Sequence, residues 1–106
     1  MERKVINIER DFARYPAGRF ERTGPYSGEA FRKNHLIPAL KEGYSEIIIE
    51  FDGARGLRSS FLEEAFGGLV REGFDANDLL KRIIIHSQDS SHEQEIRDYI
   101  LQQAAV

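Results

Sequence analysis

The sequence predicts a single α/β domain built on a small mixed sheet flanked by helices. Two observations carry this. Glu46-Ile47-Ile48-Ile49-Glu50-Phe51 and Ile83-Ile84-Ile85 are short, continuous apolar runs, the pattern of strands inside a parallel sheet. Around them, apolar residues recur at helical spacing, so strands alternate with helices as in right-handed βαβ units. A chain of 106 residues is long enough for one core and too short for a second, which makes residues 1–106 one domain without a linker.

Val5, Ile6 and Ile8 form a β-branched run that reads as the first strand. Tyr15-Pro16-Ala17-Gly18 is a turn signal, and the alternation in Arg19-Phe20-Glu21-Arg22 predicts a second strand closing an early hairpin. Ser27 stands as the cap of a helix through Phe31, Leu36 and Leu40 toward a stop at Gly43, with Pro38 expected to kink that helix or end it early. The run over 46–51 is expected at the centre of the sheet, covered by helices on both faces. After the loop 52–58, the residues Phe61, Leu62, Ala65, Phe66, Leu69 and Val70 repeat on one helical face until Gly73 stops the helix. A short helix is expected over 75–80. Ile96, Tyr99 and Ile100 mark an amphipathic last helix, with Ser90 and Glu93, or Ser91 and Gln94, as its capping box.

Composition narrows the function classes. The 15 Lys and Arg against 18 Asp and Glu leave a net charge of −3, which gives no electrostatic footprint for nucleic acid. Cysteine is absent, so disulfides, thiolate nucleophiles and cysteine metal sites are excluded. No apolar run approaches the ~20 residues of a membrane helix, and the start leads into a strand pattern rather than a signal-peptide core. A cytoplasmic address without a membrane partner is therefore expected. His35, His86 and His92 lack the spacing of a zinc site, and no metal or cofactor is expected. Gly53-x-x-Gly56-x-x-Ser59-Ser60 lacks the lysine of a P-loop, and no G-x-S-x-G is present, so neither nucleotide hydrolysis nor serine hydrolysis has a motif behind it.

The most informative feature is Ser59-Ser60, placed where a buried strand hands over to a helix. Ser60-Phe61-Leu62-Glu63 fits a capping box, which makes Ser60 a helix cap. The same helix start offers N–H groups and a partial positive charge to an anion, with Arg55 and Arg58 nearby and Asp52 at the carboxyl edge of the sheet. Ser59, which the cap does not need, is the better candidate for phosphorylation, with Ser60 beside it. Gly67 falls on the outer helical face with Glu63, Glu64 and Arg71, where bare backbone would let a partner approach closely. Gly68 lies at the edge of the apolar face and would either admit a neighbouring element of the same domain or share in the approach of that partner. Each glycine costs roughly 1 kcal/mol against alanine inside a helix, so each needs such a reason. The turn Gly24-Pro25-Tyr26-Ser27-Gly28-Glu29 reads as a rigid helix start, and alternatively as a loop completing one binding surface with Arg19, Glu29 and Arg32.

The order of elements, with a serine pair opening a helix, resembles the STAS domains, the fold of the anti-sigma-factor antagonists. More closely, Gly18-Arg19, the stretch from Gly24 to Arg32 and Ser59-Ser60-Phe61-Leu62-Glu63-Glu64-Ala65-Phe66-Gly67-Gly68-Leu69 look like the bacterial STAS-like family of unknown function. The resemblance implies a STAS-like fold, a regulatory role through protein interaction, and a partner ATPase of the histidine-kinase type that phosphorylates the hydroxyl and breaks the complex. Two departures bear on this. Arg58 stands where the antagonists have an acidic residue, and Phe61 where they have glycine, so a kinase that reads the acidic neighbour is not expected to recognise this site, and anion binding gains weight. The leading expectation is a non-enzymatic docking module around the serine pair. The alternative is a phosphate- or nucleotide-binding sensor using the same helix start. A small hydrolase using Asp52, Glu63 or Glu64 with a serine stands last, and a homodimer is left open.

Overall fold

Three strands, β1 (Arg3–Asn7), β2 (Glu46–Glu50) and β3 (Ile83–His86), form one sheet in the order β1-β2-β3. The structure is a computed structural model and describes residues 2–106. Both strand pairs are parallel, and Ile48 sits between Val5 and Ile84 in register. Right-handed crossovers that step the same way along a sheet place their helices on the same face. Burial agrees. Ile6, Ile47, Ile49 and Phe51 join one core with Phe31, Leu36, Leu40, Phe61, Leu62, Phe66, Leu69, Leu79, Ile96 and Ile100 from the helices.

Val5, Ile48 and Ile84, one residue out of phase, form a row on the opposite face and lie outside that core. The central strand is buried as expected, but the expected helical cover on both faces is not realised. With β1 to β3 stepping in one direction, both crossovers load the same side.

The early hairpin is also corrected: residues 19–22 form no strand, and the sheet is wholly parallel rather than mixed. Glu21–Thr23 is a single 3₁₀ turn, held by Thr23 N–H on the Phe20 carbonyl at 3.0 Å and by the Thr23 hydroxyl on the same oxygen at 2.7 Å. The carbonyls of Gly18 and Arg19 accept the N–H groups of Gly28 and Glu29, each at 3.0 Å, and the Glu29 carboxylate takes the Glu21 N–H at 2.9 Å. The segment's hydrogen bonds thus go to its own turn and to the next helix start rather than to a paired strand.

That helix, α1, runs unbroken over 28–41 as Gly28–Phe31, a π-helical turn Arg32–Leu36, and Ile37–Lys41. Pro38 neither ends nor breaks it. The widened turn just ahead lifts the carbonyl that its ring would otherwise strike. Gly43, at φ +86°, supplies the left-handed residue after the last turn. The second long helix, α2, runs over 59–71 as Ser59–Leu62, a π turn Glu63–Gly67, and Gly68–Arg71.

The helices α1 and α2 meet at Gly28, where an added Cβ would lie 2.5 Å from the Phe61 carbonyl oxygen and 3.0 Å from Glu64 Cβ. Only glycine permits that approach. Helix α3 (Ala76–Arg82) is capped by Asp75, whose carboxylate accepts the Asp78 N–H at 2.9 Å. The last helix, α4 (Ser91–Ala104), uses neither expected capping box. The Asp89 carboxylate takes both the N–H and the hydroxyl of Ser91, at 3.0 and 2.6 Å.

Candidate functional site

The loop after β2 leaves at the carboxyl edge of the sheet. Asp52 Oδ1 accepts the Gln88 N–H at 3.1 Å, which ties the loop to the segment after β3. Gly53 (φ +100°) and Gly56 (φ +72°) turn the chain through left-handed backbone, and the Arg55 N–H reaches the Arg14 carbonyl at 2.7 Å. A cleft of about 350 Å³ opens here, lined among others by Phe51, Asp52, Arg55, Ser87, Asp89 and His92. Arg55 and Arg58 are exposed, and neither guanidinium has an ion partner among the described residues.

Arg58, not Ser60, is the N-cap of α2; its backbone is extended (φ −82°, ψ 162°) and its side chain makes no capping hydrogen bond. Ser59 and Ser60 are the first and second helical residues. The predicted capping box is therefore not formed: the helix has already begun when the chain reaches Ser60, and Glu63 binds two guanidinium groups instead of reaching back to a backbone N–H. Ser59 is exposed and Ser60 half-buried. The Ser59 hydroxyl interacts with the phenol of Tyr99, whose pKa is pushed up by burial and by its hydrogen bond with Glu95.

One turn further, the residues of the most distinctive sequence stretch close on one another. Arg19 Nη1 lies 2.5 Å from Glu63 Oε1 and 3.2 Å from Glu64 Oε1. Arg71 bonds Glu63 Oε2 at 2.7 Å, Glu64 Oε1 at 3.3 Å and Gln103 Oε1 of α4 at 2.6 Å. Arg32 reaches across from α1 to Glu64 Oε2 at 2.9 Å and Glu72 Oε2 at 2.6 Å, and also donates to the main-chain carbonyl of Glu64. Three arginines thus face three glutamates with no net charge left over. Arg71 first, and Arg19 with it, hold the Glu63 carboxyl below the usual carboxylate range against the opposing effect of burial. The Arg32–Glu64 pair is almost completely buried, at 8% and 9% side-chain exposure, so its removal on one side strands a charge in the interior.

This lattice accounts for both glycines of α2. Gly68 gives way to Arg32: an added Cβ would strike Nη1 and lie 2.8 Å from Cζ. That is the expected packing against a neighbouring element. Gly67 is a correction. It is buried rather than bare, covered by the side chains on either side of it, with Glu63 Oε2 2.6 Å and Arg71 Nη1 3.7 Å from an added Cβ. The ion pair between Glu63 and Arg71 roofs over the outer face where a partner was expected to approach.

The turn before α1 is equally committed to structure. Ser27 is fully buried and its Oγ accepts the Ala30 N–H at 3.1 Å, a helix cap as read from the sequence. Glu29 holds the 3₁₀ turn, and Tyr26, 51% exposed, rests edge-on against Phe12 with ring centroids 5.9 Å apart. Of the residues singled out in the sequence, Arg19, Ser27, Glu29, Arg32, Glu63, Glu64, Gly67, Gly68 and Arg71 are engaged internally. Asp52, Arg55, Arg58, Ser59 and Ser60 stand along the open loop and helix start.

Sequence reasoning missed a second group at the sheet's carboxyl edge. Ser87 Oγ lies 2.8 Å from His92 Nδ1 and accepts the Asp89 N–H at 3.1 Å, while Asp89 Oδ2 is 3.9 Å from His92 Nε2. The spacing Ser-x-Asp-x-x-His was the available signal; its hydrogen bonds chiefly shape the turn into α4. Among the described residues no group of three or more His, Asp or Glu is placed to hold a metal ion, and no helix is long and apolar enough to cross a membrane.

No curated protein and no solved structure matches the chain. A family model does: residues 27–93, from the cap of α1 through the loop, the lattice and the turn into α4, match the STAS-like domain of unknown function, and the chain belongs to that family.

Proposed function

We propose that this STAS-like domain is a non-enzymatic docking module whose partner covers the loop Asp52 to Arg58 and the start of α2 at Ser59. The observation that carries this reading is the division of charge. Arg19, Arg32 and Arg71 are neutralised inside the lattice, whereas Arg55 and Arg58, in the stretch leading to Ser59, are exposed and without an ion partner among the described residues. Two free guanidinium groups favour an acidic partner surface and speed its encounter. A phosphate on Ser59 would add about −1.5 to −2 charge, cancel that attraction and face the Glu95 carboxylate beyond Tyr99. Modification is then an off-switch, and the proposed partner and modifying enzyme is an ATPase of the histidine-kinase type, reading a basic rather than an acidic flank.

The phosphate- or nucleotide-sensor reading uses the same arginines, but Asp52 and Asp89 put two carboxylates on the wall of the adjoining cleft, which disfavours an anion there. Capture from the native host with wild type, Arg58→Glu and Ser59→Glu tests the proposal. A protein retained by wild type and lost by both variants, at unchanged melting temperature, is expected. Identical retention by all three overturns the docking reading. Calorimetric binding of nucleotides that depends on Arg58 would favour the sensor instead.

A further inference from the structure

The strand β1 lies at an edge of the sheet, and its one strand neighbour among the described residues is β2. The direction of its outer backbone groups follows from two hydrogen bonds. The Glu2 carbonyl faces β2, where it accepts the Ser45 N–H at 3.2 Å, whereas the Asn7 N–H faces away and donates to Asp11 Oδ2 at 2.8 Å. Backbone direction alternates along a strand. Arg3 and Val5 therefore turn both N–H and C=O outward with no backbone partner among the described residues, while the Asn7 carbonyl, at the cap of the π turn Ile8–Phe12, accepts that turn's first hydrogen bond. Val5 is 39% exposed, and a groove of about 580 Å³ runs beside this edge toward α1, lined by Lys4, Val5, Ile6, His35 and Pro38 among others.

We infer that this edge pairs with β1 of a second copy of the chain, antiparallel about a two-fold axis at Val5, so that the two sheets become one. In that register Val5 faces Val5 of the second copy and exchanges two main-chain hydrogen bonds with it. At each end the Arg3 N–H meets the remaining lone pair of the Asn7 carbonyl, and the Asn7 N–H keeps its bond to Asp11. Charge selects the antiparallel arrangement. The basic end of β1, Arg3 and Lys4, is brought to the end of the second copy where Asp11, paired with Arg10 at 2.9 Å, and Glu50 together outweigh that one arginine, while parallel pairing would set basic end against basic end. Arg3 is free to turn, since its present partner is the exposed Glu46 at 3.3 Å. Charged edges ordinarily block strand addition; in this register they attract. The contact is small, so dissociation in the range of ~10–100 μM is expected.

Analytical ultracentrifugation of the full chain over about 1–300 μM reads the association directly. Wild type is expected to dimerise. Val5→Pro removes an outward N–H without touching the bonds to β2 and should shift dissociation at least tenfold. Val5→Lys and Val5→Glu place like charges opposite themselves across the axis. Each alone should be monomeric with an unchanged circular dichroism melt, and an equimolar mixture of the two should regain the dimer. A wild type monomeric at the highest concentration, with the edge vacant or serving another protein's strand, overturns the inference. So does a dimer that survives Val5→Lys, because its contact then lies elsewhere.

Discussion

Arg32 occupies the space that any side chain at Gly68 would need, with Cζ 2.8 Å and Cδ 3.2 Å from where a Cβ would be. The contact joins two features that sit far apart in the sequence and explains why a helix core tolerates a glycine there. The arginine enters from α1, lies flat on the backbone of α2, and ends on Glu64 and Glu72.

Gly68→Ala should therefore be destabilising although alanine is the better helix former. Expelling Arg32 from its buried pair costs about 3–5 kcal/mol, and the helix-propensity gain of about 1 kcal/mol offsets only part of it. Urea unfolding should show a net loss of about 2–4 kcal/mol, with Arg32→Ala similarly affected.

Gly67→Ala, one residue earlier, should behave oppositely. The nearest atom to an added Cβ is the carboxylate end of Glu63, which is flexible and can move aside. Urea unfolding should place this variant within about 1 kcal/mol of wild type, on the stabilising side if Glu63 keeps Arg19 when it yields Arg71.

Arg32 and Glu64 should be energetically coupled. In a double-mutant cycle of Arg32→Met and Glu64→Gln, the coupling should exceed about 1 kcal/mol, because each single change leaves the other charge in a nearly dry site. The same cycle on Arg3 and Glu46, both exposed, should give under about 0.5 kcal/mol.

His35 and Glu63 both shape the acid limb of stability, alongside the Asp11 and Asp89 carboxyls, which are also held below their ordinary range. His35, half-buried between Phe12 and Phe31, is pushed below its ordinary range by burial, partly offset by Asp11. The unfolded chain then binds its proton more readily, so stability present above about pH 6.5 declines as pH falls from there. Glu63, held low by Arg71 and Arg19, contributes stability that is full above about pH 4.3 and is lost as pH falls through its lowered folded value. The melting temperature should fall in two stages on acidification, and His35→Gln should remove the first stage alone. An NMR titration of the His35 ring gives the folded value independently.

The sequence made much of this legible. Ile47 to Ile49 and Ile83 to Ile85 marked parallel strands, Ser27 its cap and Gly43 its stop, because each is a local pattern with one physical solution. Arg19 to Arg22 misled, since alternation over four residues also fits a turn whose hydrogen bonds are taken by a later helix start. Ser60 misled for a related reason. A capping box assumes that Glu63 is free to reach back, and nothing local announces two arginines arriving from 44 residues upstream and 8 downstream. Gly67 was placed on the correct face, but that face is roofed by long side chains whose direction a helical wheel does not give. The lattice as a whole depends on α1 crossing α2 at Gly28, a tertiary fact.

Hydrogen–deuterium exchange on the domain alone and in complex with the protein it captures tests the docking surface most directly. Protection confined to the amides of 52–60, with the lattice segment 63–72 unchanged, is the predicted result. Protection centred on 63–72, with the loop amides exchanging as in the free domain, would contradict it.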